Sequence, residues 1–127
     1  MKTFITAAAI AALALAPAAF ADAHSEIVQA ETHAGLAAQA SGIAGVHQHL
    51  HHALNCLAGP NGDGFDAKEM NPCANAGNGA IPDTADAAKK KSLESIADEI
   101  KTAIAETDET KAKADATTIA GKLKADE

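Results

Sequence analysis

The chain has 127 residues, with 17 acidic and 10 basic side chains and a formal net charge of -7. Nucleic acid and anionic lipid are unsuitable partners for so acidic a protein, because their phosphates select lysine and arginine. Aromatic residues make up 2% of the chain, which argues against an aromatic-lined pocket or a base-stacking platform. The alanine-rich composition instead favours helices that approach each other closely over small side chains.

The first 21 residues have the pattern of a secretory signal peptide. Met1 and Lys2 provide a positive start, an apolar segment follows over 4–16, and small residues lie at Ala19 and Ala21. The apolar segment is too short to span a bilayer and precedes a typical cleavage site. We therefore expect residues 22–127 to form one exported domain, periplasmic or secreted, that has no membrane segment after cleavage.

A helix is predicted from about residue 25 to 57, with Ser25 as its N-cap. Its apolar residues fall on one stripe at 100° per residue: Val28, Leu36, Ile43, Val46, Leu50, Leu54 and Leu57. Because the stripe stays in phase across three glycines, the pattern favours one long helix. Each glycine lowers helix stability by up to about 1 kcal/mol relative to alanine, so a break near Ser41 and Gly42 is the alternative.

Residues 58–82 are rich in Gly, Asn, Asp and Pro, which is typical of a loop. Cys56 lies just before this segment and Cys73 within it, and an even cysteine count in an exported protein predicts a disulfide. In the chain-entropy model this bond contributes about 3 kcal/mol. The alternative is a thiolate pair that binds a metal ion.

Residues 84–124 form the second predicted helical region, capped by Asp83 or Thr84. Its apolar stripe changes phase after Thr107, and Asp108 can cap a new helix there, so either a bent helix or two consecutive helices follows. The predicted fold is all-α. It is either a long antiparallel helical hairpin, which can form a homodimer, or a four-helix bundle, and in both the disulfide ties down the Gly-rich loop.

Four of the six histidines lie within residues 46–56, VHQHLHHALNC. On a helix, His47 and His51 share one side because they are four residues apart. His49 and His52, three residues apart, share another. Such spacing places the Cβ atoms about 5 to 6 Å apart, so each pair can chelate one Cu(II), Ni(II) or Zn(II) ion.

Two histidines supply only part of a coordination sphere, so the other ligands must come from a facing helix, the loop, a second subunit or water. His33 lies about 21 Å from His47 along a continuous helix, so we do not expect these two residues to share an ion. Residues 84–127 contain no histidine. This distribution indicates one or two localised sites rather than high-capacity storage.

His24 gives a separate argument for copper. Cleavage after Ala21 leaves Asp22-Ala23-His24 at the N-terminus, where the α-amine, two backbone amides and the imidazole can enclose Cu(II) or Ni(II) in a square plane. This segment resembles the amino-terminal copper- and nickel-binding motif of serum albumins. Cleavage after Ala23 would make His24 the first residue, which is similar to the histidine brace of copper oxygenases and copper chaperones.

As a whole, residues 22–127 resemble small periplasmic metal-binding proteins built as histidine-bearing helical bundles. The resemblance implies a role in metal buffering, carriage or sensing, with Cu(II) first and Ni(II) or Zn(II) next. The alternative is a non-metal interaction or stress protein of the periplasm. The chain has no HExxH motif and no phosphate-binding glycine loop, so we do not expect an enzyme.

Overall fold

The computed structural model describes residues 22–127, and the predicted signal peptide and its cleavage after Ala21 lie outside the described residues. The helices follow one another in chain order: α1 Ala23–Gln39, α2 Ile43–Ala58, α3 Ala80–Asp83, α4 Ala87–Ala105 and α5 Glu109–Ala125. The described residues contain no strand, so the predicted all-α class is confirmed. Within the same range, no helix is long and apolar enough to cross a membrane.

The four long helices form a bundle, which was one of the two predicted arrangements. Helix α1 packs against α2 and α5, and α4 packs against the same two helices from the other side. The core between them is made of alanines and aliphatic side chains, among them Ile27, Leu50, Leu57, Leu93, Ile100, Ile119 and Leu123. Short connections join α1 to α2 and α4 to α5, so each pair is antiparallel.

The favoured single helix over 25–57 is wrong, because the chain reverses direction at 40–42. Ala40 has extended backbone angles, and Gly42 has φ 81°, a left-handed conformation that favours glycine. Side chains of α5 bind the exposed backbone groups of this reversal. The Gly42 N–H donates to Glu109 Oε1 at 3.1 Å, and Lys113 Nζ donates to the Ala40 carbonyl at 2.9 Å.

The reversal also changes which face of α1 is buried. The predicted stripe placed Leu36 in the core, but this side chain is 41% exposed. Helix α1 instead buries a row of residues that are mostly alanine: Ile27, Ala30, Ala34 and Ala37. In the α2 part of the stripe, Val46, Leu50, Leu54 and Leu57 are buried as predicted, while Ile43 is partly buried. Alanines on α1 leave room for α2 and α5 to pack close to its backbone.

Two predicted helix starts are also corrected. Asp22, not Ser25, caps α1, and its carboxylate accepts hydrogen bonds from the Ser25 N–H and hydroxyl. Helix α4 begins after Asp86, whose side chain accepts from the Lys89 N–H at 2.7 Å. Asp83, the predicted cap, ends the short helix α3. In both cases the N-cap is an aspartate, because its carboxylate reaches the free N–H three residues later, in the first turn of the helix.

In the second half, two consecutive helices are present rather than one bent helix. Asp108 caps α5 as predicted, and its carboxylate accepts from the Lys111 N–H at 2.8 Å. The three residues between α4 and α5 reverse the chain. The change of stripe phase after Thr107 therefore marks a true helix boundary.

The Gly-rich loop is closed at its base in two ways. Cys56 and Cys73 form the predicted disulfide, with their Cα atoms 5.1 Å apart. Gly59 and Gly79 also approach each other closely, because a Cβ on Gly79 would lie 2.6 Å from the Gly59 nitrogen. Both glycines have positive φ. The loop therefore leaves and rejoins the bundle at almost the same place.

A buried carboxyl group lies beside the end of this loop. Glu26 on α1 is fully buried, and its Oε1 accepts from the Gly79 N–H at 2.8 Å. Its Oε2 has no hydrogen-bond partner among residues 22–127. Burial raises the pKa of Glu26 to about 7, with further repulsion from Asp83 and Asp22, and these effects outweigh the hydrogen bond from Gly79.

We expect that replacing both cysteines, Cys56→Ala with Cys73→Ala, lowers the free energy of unfolding by about 3 kcal/mol. The physical reason is that the unfolded chain regains the freedom that the cross-link of this loop removes. Urea denaturation of residues 22–127 measures the change. Wild-type protein in reductant is the control and should lose a similar amount. A loss well under 1 kcal/mol in both would contradict the prediction.

We also expect Glu26 to make the folded state less stable as pH rises. Its pKa in the folded state is raised from 4.5 to about 7. The stabilisation that the protonated Glu26 carboxyl gives the folded state is therefore complete below pH 4.5 and is lost as pH rises through 7. The loss is up to roughly 3 kcal/mol, from about 1.4 kcal/mol per pKa unit. Glu26→Gln keeps an acceptor for Gly79 and should be more stable than wild type at pH 8.

The measurement is the difference in unfolding free energy between wild type and Glu26→Gln at pH 5 and pH 8. Other titrating groups are shared by both proteins and cancel in this difference. Glu94→Gln, at an exposed position of α4, is the matched control and should show no such pH dependence. Equal differences at both pH values for Glu26→Gln would overturn the assignment.

Candidate metal centre

The reversal at 40–42 brings a histidine of α1 onto a histidine pair of α2. One ring nitrogen from each of His33, His49 and His52 lies within 4.8 Å of the other two. The ring centroids form a triangle with sides of 5.2, 5.6 and 5.7 Å. We call these three residues the histidine triad.

The triad joins His33, which was not predicted as a ligand, to the predicted pair of His49 and His52. His33 was not expected to share an ion with His47, because a continuous helix would place the two about 21 Å apart. That premise fails once α1 folds back on α2. His49 and His52 do face the same way, as their spacing of three residues predicts.

Burial favours, in two rings of the triad, His33 and His52, the form that binds metal ions. The His52 ring is almost fully buried, while His33 and His49 are half-buried. The pKa of His33 is lowered by burial and then by the neighbouring His52 and His49. The pKa of His52 is lowered by burial and by His49, which outweigh the opposing effect of Glu69. Neutral imidazole, the form with a free lone pair, is therefore favoured at neutral pH.

The triad has nitrogen atoms free to act as ligands. Nδ1 of His33, His49 and His52 is buried and has no hydrogen-bond partner within residues 22–127. Nε2 of His52 lies 3.5 Å from Glu69 Oε2. A carboxylate accepts only, so the His52 proton is favoured on Nε2 and the lone pair on Nδ1.

The Gly-rich loop lies against the triad because Asn55 binds its backbone. The Asn55 side chain is fully buried, and its Nδ2 donates to the carbonyls of Asp66 at 3.0 Å and Met70 at 3.1 Å. A longer contact of 3.4 Å reaches the Glu69 carbonyl. Asn55 Oδ1 accepts from the Asp66 N–H at 2.8 Å. These contacts hold the segment that carries the Glu69 side chain.

The other predicted pair, His47 and His51, lies outside the triad. His47 Nε2 is 2.8 Å from the Glu106 carbonyl oxygen, so it donates a proton there and ties α2 to the end of α4. His51 Nδ1 lies 4.0 Å from Asp66 Oδ2. Of the described residues, only the triad forms a group of three such ligands. His51 Nδ1 has no hydrogen-bond partner among the described residues, and metal binding by His47 and His51 stays a prediction.

His24 lies far from the triad. It is exposed in the first turn of α1, nine residues before His33, which is about 14 Å along a helix. A square-planar site at Asp22-Ala23-His24 needs the backbone amides to leave this turn and would cost the cap that Asp22 makes. The cleavage that would expose the amine falls at the edge of the undescribed residues. The N-terminal site stays a prediction.

The triad has the donors for a transition-metal ion and requires a small adjustment to hold one. Three neutral imidazoles can occupy three positions around Zn(II) or Cu(II) at about 2.0 to 2.1 Å, which places the nitrogens about 3.3 Å apart in a tetrahedron. The ligand nitrogens of the triad now lie within 4.8 Å of one another. Side-chain rotations that move each nitrogen by about 1 Å would bring them to the separation that a tetrahedral ion requires. The fourth position stays open to water or to an exchanging ligand.

Sequence reasoning missed His33 as a member of this site. The local signal for His33 was Gly42, the alternative break point, because a reversal there makes α1 face α2. Glu69 belongs to the loop, which was one of the predicted sources of further ligands, and its exact place depends on the path of the loop and on Asn55.

Comparisons with protein-family models, with curated proteins and with solved structures found no match to the chain. What the site can do is therefore inferred from the donor atoms, burial and charges of these residues alone.

Proposed function

We propose that the chain is an exported metal-binding protein that holds one divalent transition-metal ion at the histidine triad. The observation that carries the proposal is the convergence of one nitrogen from each of His33, His49 and His52 within 4.8 Å. Their unpaired Nδ1 atoms and the lowered pKa values of His33 and His52 support it. Together these features favour coordination over a role as ordinary surface histidines.

Copper is the first candidate ion, followed by nickel and zinc. Imidazole is a good ligand for all three, and divalent affinities rise to a maximum at Cu(II) in the Irving–Williams order. A set of three histidines with an open fourth position also suits tetrahedral Zn(II). The donor atoms alone do not select one of these three ions. A competition experiment between the ions does.

The exposure of the site suits buffering, carriage or sensing rather than a purely structural ion. His33 and His49 are half-buried, so solvent or a partner's ligand can reach the ion. The disulfide between Cys56 and Cys73 agrees with an oxidising compartment such as the periplasm. The signal-peptide pattern of residues 1–21 points to the same export.

A non-metal role as a helical interaction protein is the second candidate. Two exposed apolar side chains support it, Leu36 on α1 and Met70 in the loop, with 41% and 57% of their surface accessible. Single exposed apolar residues are common on soluble proteins. Under this reading, replacement of the triad leaves the protein's phenotype unchanged while Leu36→Asp removes it.

We expect residues 22–127 to bind one Zn(II) ion, and His33→Gln to weaken that binding by on the order of 100-fold or more, because a ligand contributes at least as much as the groups that orient ligands. His47→Gln is the matched control on α2 and should bind as wild type does. Isothermal titration calorimetry measures both, with circular dichroism to show that each variant is folded. Equal Zn(II) affinity in His33→Gln and wild type would contradict the proposal.

Copper needs one further control because the N-terminus can bind it separately. Titrations with Cu(II) are therefore made in a His24→Gln background, which removes the imidazole of the predicted square-planar site. In that background the triad should still bind one Cu(II) ion, and the further change His33→Gln should abolish tight binding. Tight Cu(II) binding that depends on His24 alone would transfer the function to the N-terminus.

A further inference from the structure

The Gly-rich loop delivers a carboxylate to the most buried ring of the triad. Glu69 Oε2 lies 3.5 Å from His52 Nε2, with 31% of the Glu69 side chain and 5% of the His52 side chain exposed. A small rotation shortens this contact to a hydrogen bond of ordinary length, 2.7 to 3.2 Å. Glu69 is not among the residues whose ligand atoms all lie within 4.8 Å of one another, and its contact is with Nε2 of the His52 ring.

The loop presents Glu69 in a defined place. Asn55, one turn after His51 on the helix that carries His52, hydrogen-bonds the backbone on both sides of Glu69, at Asp66 and Met70. It is fully buried and lies beside Cys56, whose disulfide to Cys73 ties the same loop to α2. Because helix α2 supplies both the ring and these anchors, the carboxylate and the imidazole keep a fixed relation.

We infer that Glu69 is a positioning residue that holds His52 with its proton on Nε2 and its lone pair on Nδ1, directed to the ion of the histidine triad. The inference rests on the proposed function. Histidine ligands are commonly oriented by a carboxylate on their second nitrogen, which fixes the tautomer and raises the basicity of the ligand. Three neutral imidazoles offset none of the ion's charge. The negative charge of Glu69 offsets part of it.

The surroundings offer no equivalent group to the other two rings. His33 and His49 have no carboxylate partner within 4.0 Å in residues 22–127. His51 does approach a carboxylate, Asp66, but lies outside the triad. Glu69 is therefore the acidic side chain whose removal should change the site selectively.

The test compares Glu69→Ala, Glu69→Gln and Glu94→Gln in residues 22–127. Zn(II) affinity should fall 10- to 100-fold in Glu69→Ala. It should fall less in Glu69→Gln, because the amide oxygen can still accept from Nε2. Glu94→Gln removes the same charge from an exposed position of α4 and should bind as wild type does.

A second readout separates positioning from a general effect on folding. Nitrogen-15 NMR of the metal-free protein, at a pH where His52 is neutral, reports which ring nitrogen carries the proton. Wild type should show the Nε2–H form, Glu69→Ala a mixture of tautomers, and Glu69→Gln a recovery toward the wild-type form.

The outcomes distinguish failure of this inference from failure of the proposed function. If wild type binds Zn(II) and His33→Gln does not, but Glu69→Ala changes neither affinity nor tautomer, the inference is wrong and the function stands. If affinity falls in Glu69→Ala without a tautomer change, Glu69 acts only through charge and the positioning role is overturned. If wild type binds no ion, both fail.

Discussion

The reversal of the chain at 40–42 is the constraint on which the rest of the structure depends. It turns one stretch of helical sequence into two antiparallel helices, and it places His33 opposite the histidines of α2. The reversal is held from outside by Glu109 and Lys113, which bind the backbone of Gly42 and Ala40. Helix α5 therefore contributes to the geometry of the site without supplying a ligand.

The loop adds a second, independent constraint at the opposite end of α2. It is fastened by the disulfide, by the close approach of Gly59 and Gly79, and by the hydrogen bonds of Asn55. A fully buried amide with partners on both its oxygen and its nitrogen specifies one arrangement, because any shift of the loop would leave a polar group unpaired. The loop thereby acquires a defined face toward the histidines despite a composition typical of turns.

Local patterns were enough for the helical class, the cap at Asp108 and the shared face of His49 and His52, because each depends on residues within a few positions. The partner of that pair was not predictable in the same way. The phase of the apolar stripe carried through Gly42 and gave no sign of a reversal, which depends on side chains of α5 some 70 positions later. Long-range contacts of this kind leave no periodic signal, so His33 was not predicted as a ligand.

The histidines of α1 and α2 differ in what their ring nitrogens contact. His47 is committed to the Glu106 carbonyl and contributes to helix packing. The triad instead brings one ring nitrogen from each of its three residues within 4.8 Å in a partly buried place, and the Nδ1 atom of each ring has no hydrogen-bond partner among the described residues. A buried polar atom without a partner costs roughly 1 to 3 kcal/mol. A metal ion bound by the converging nitrogens would stabilise the fold as well as occupy the site, because it binds the folded chain and not the unfolded one.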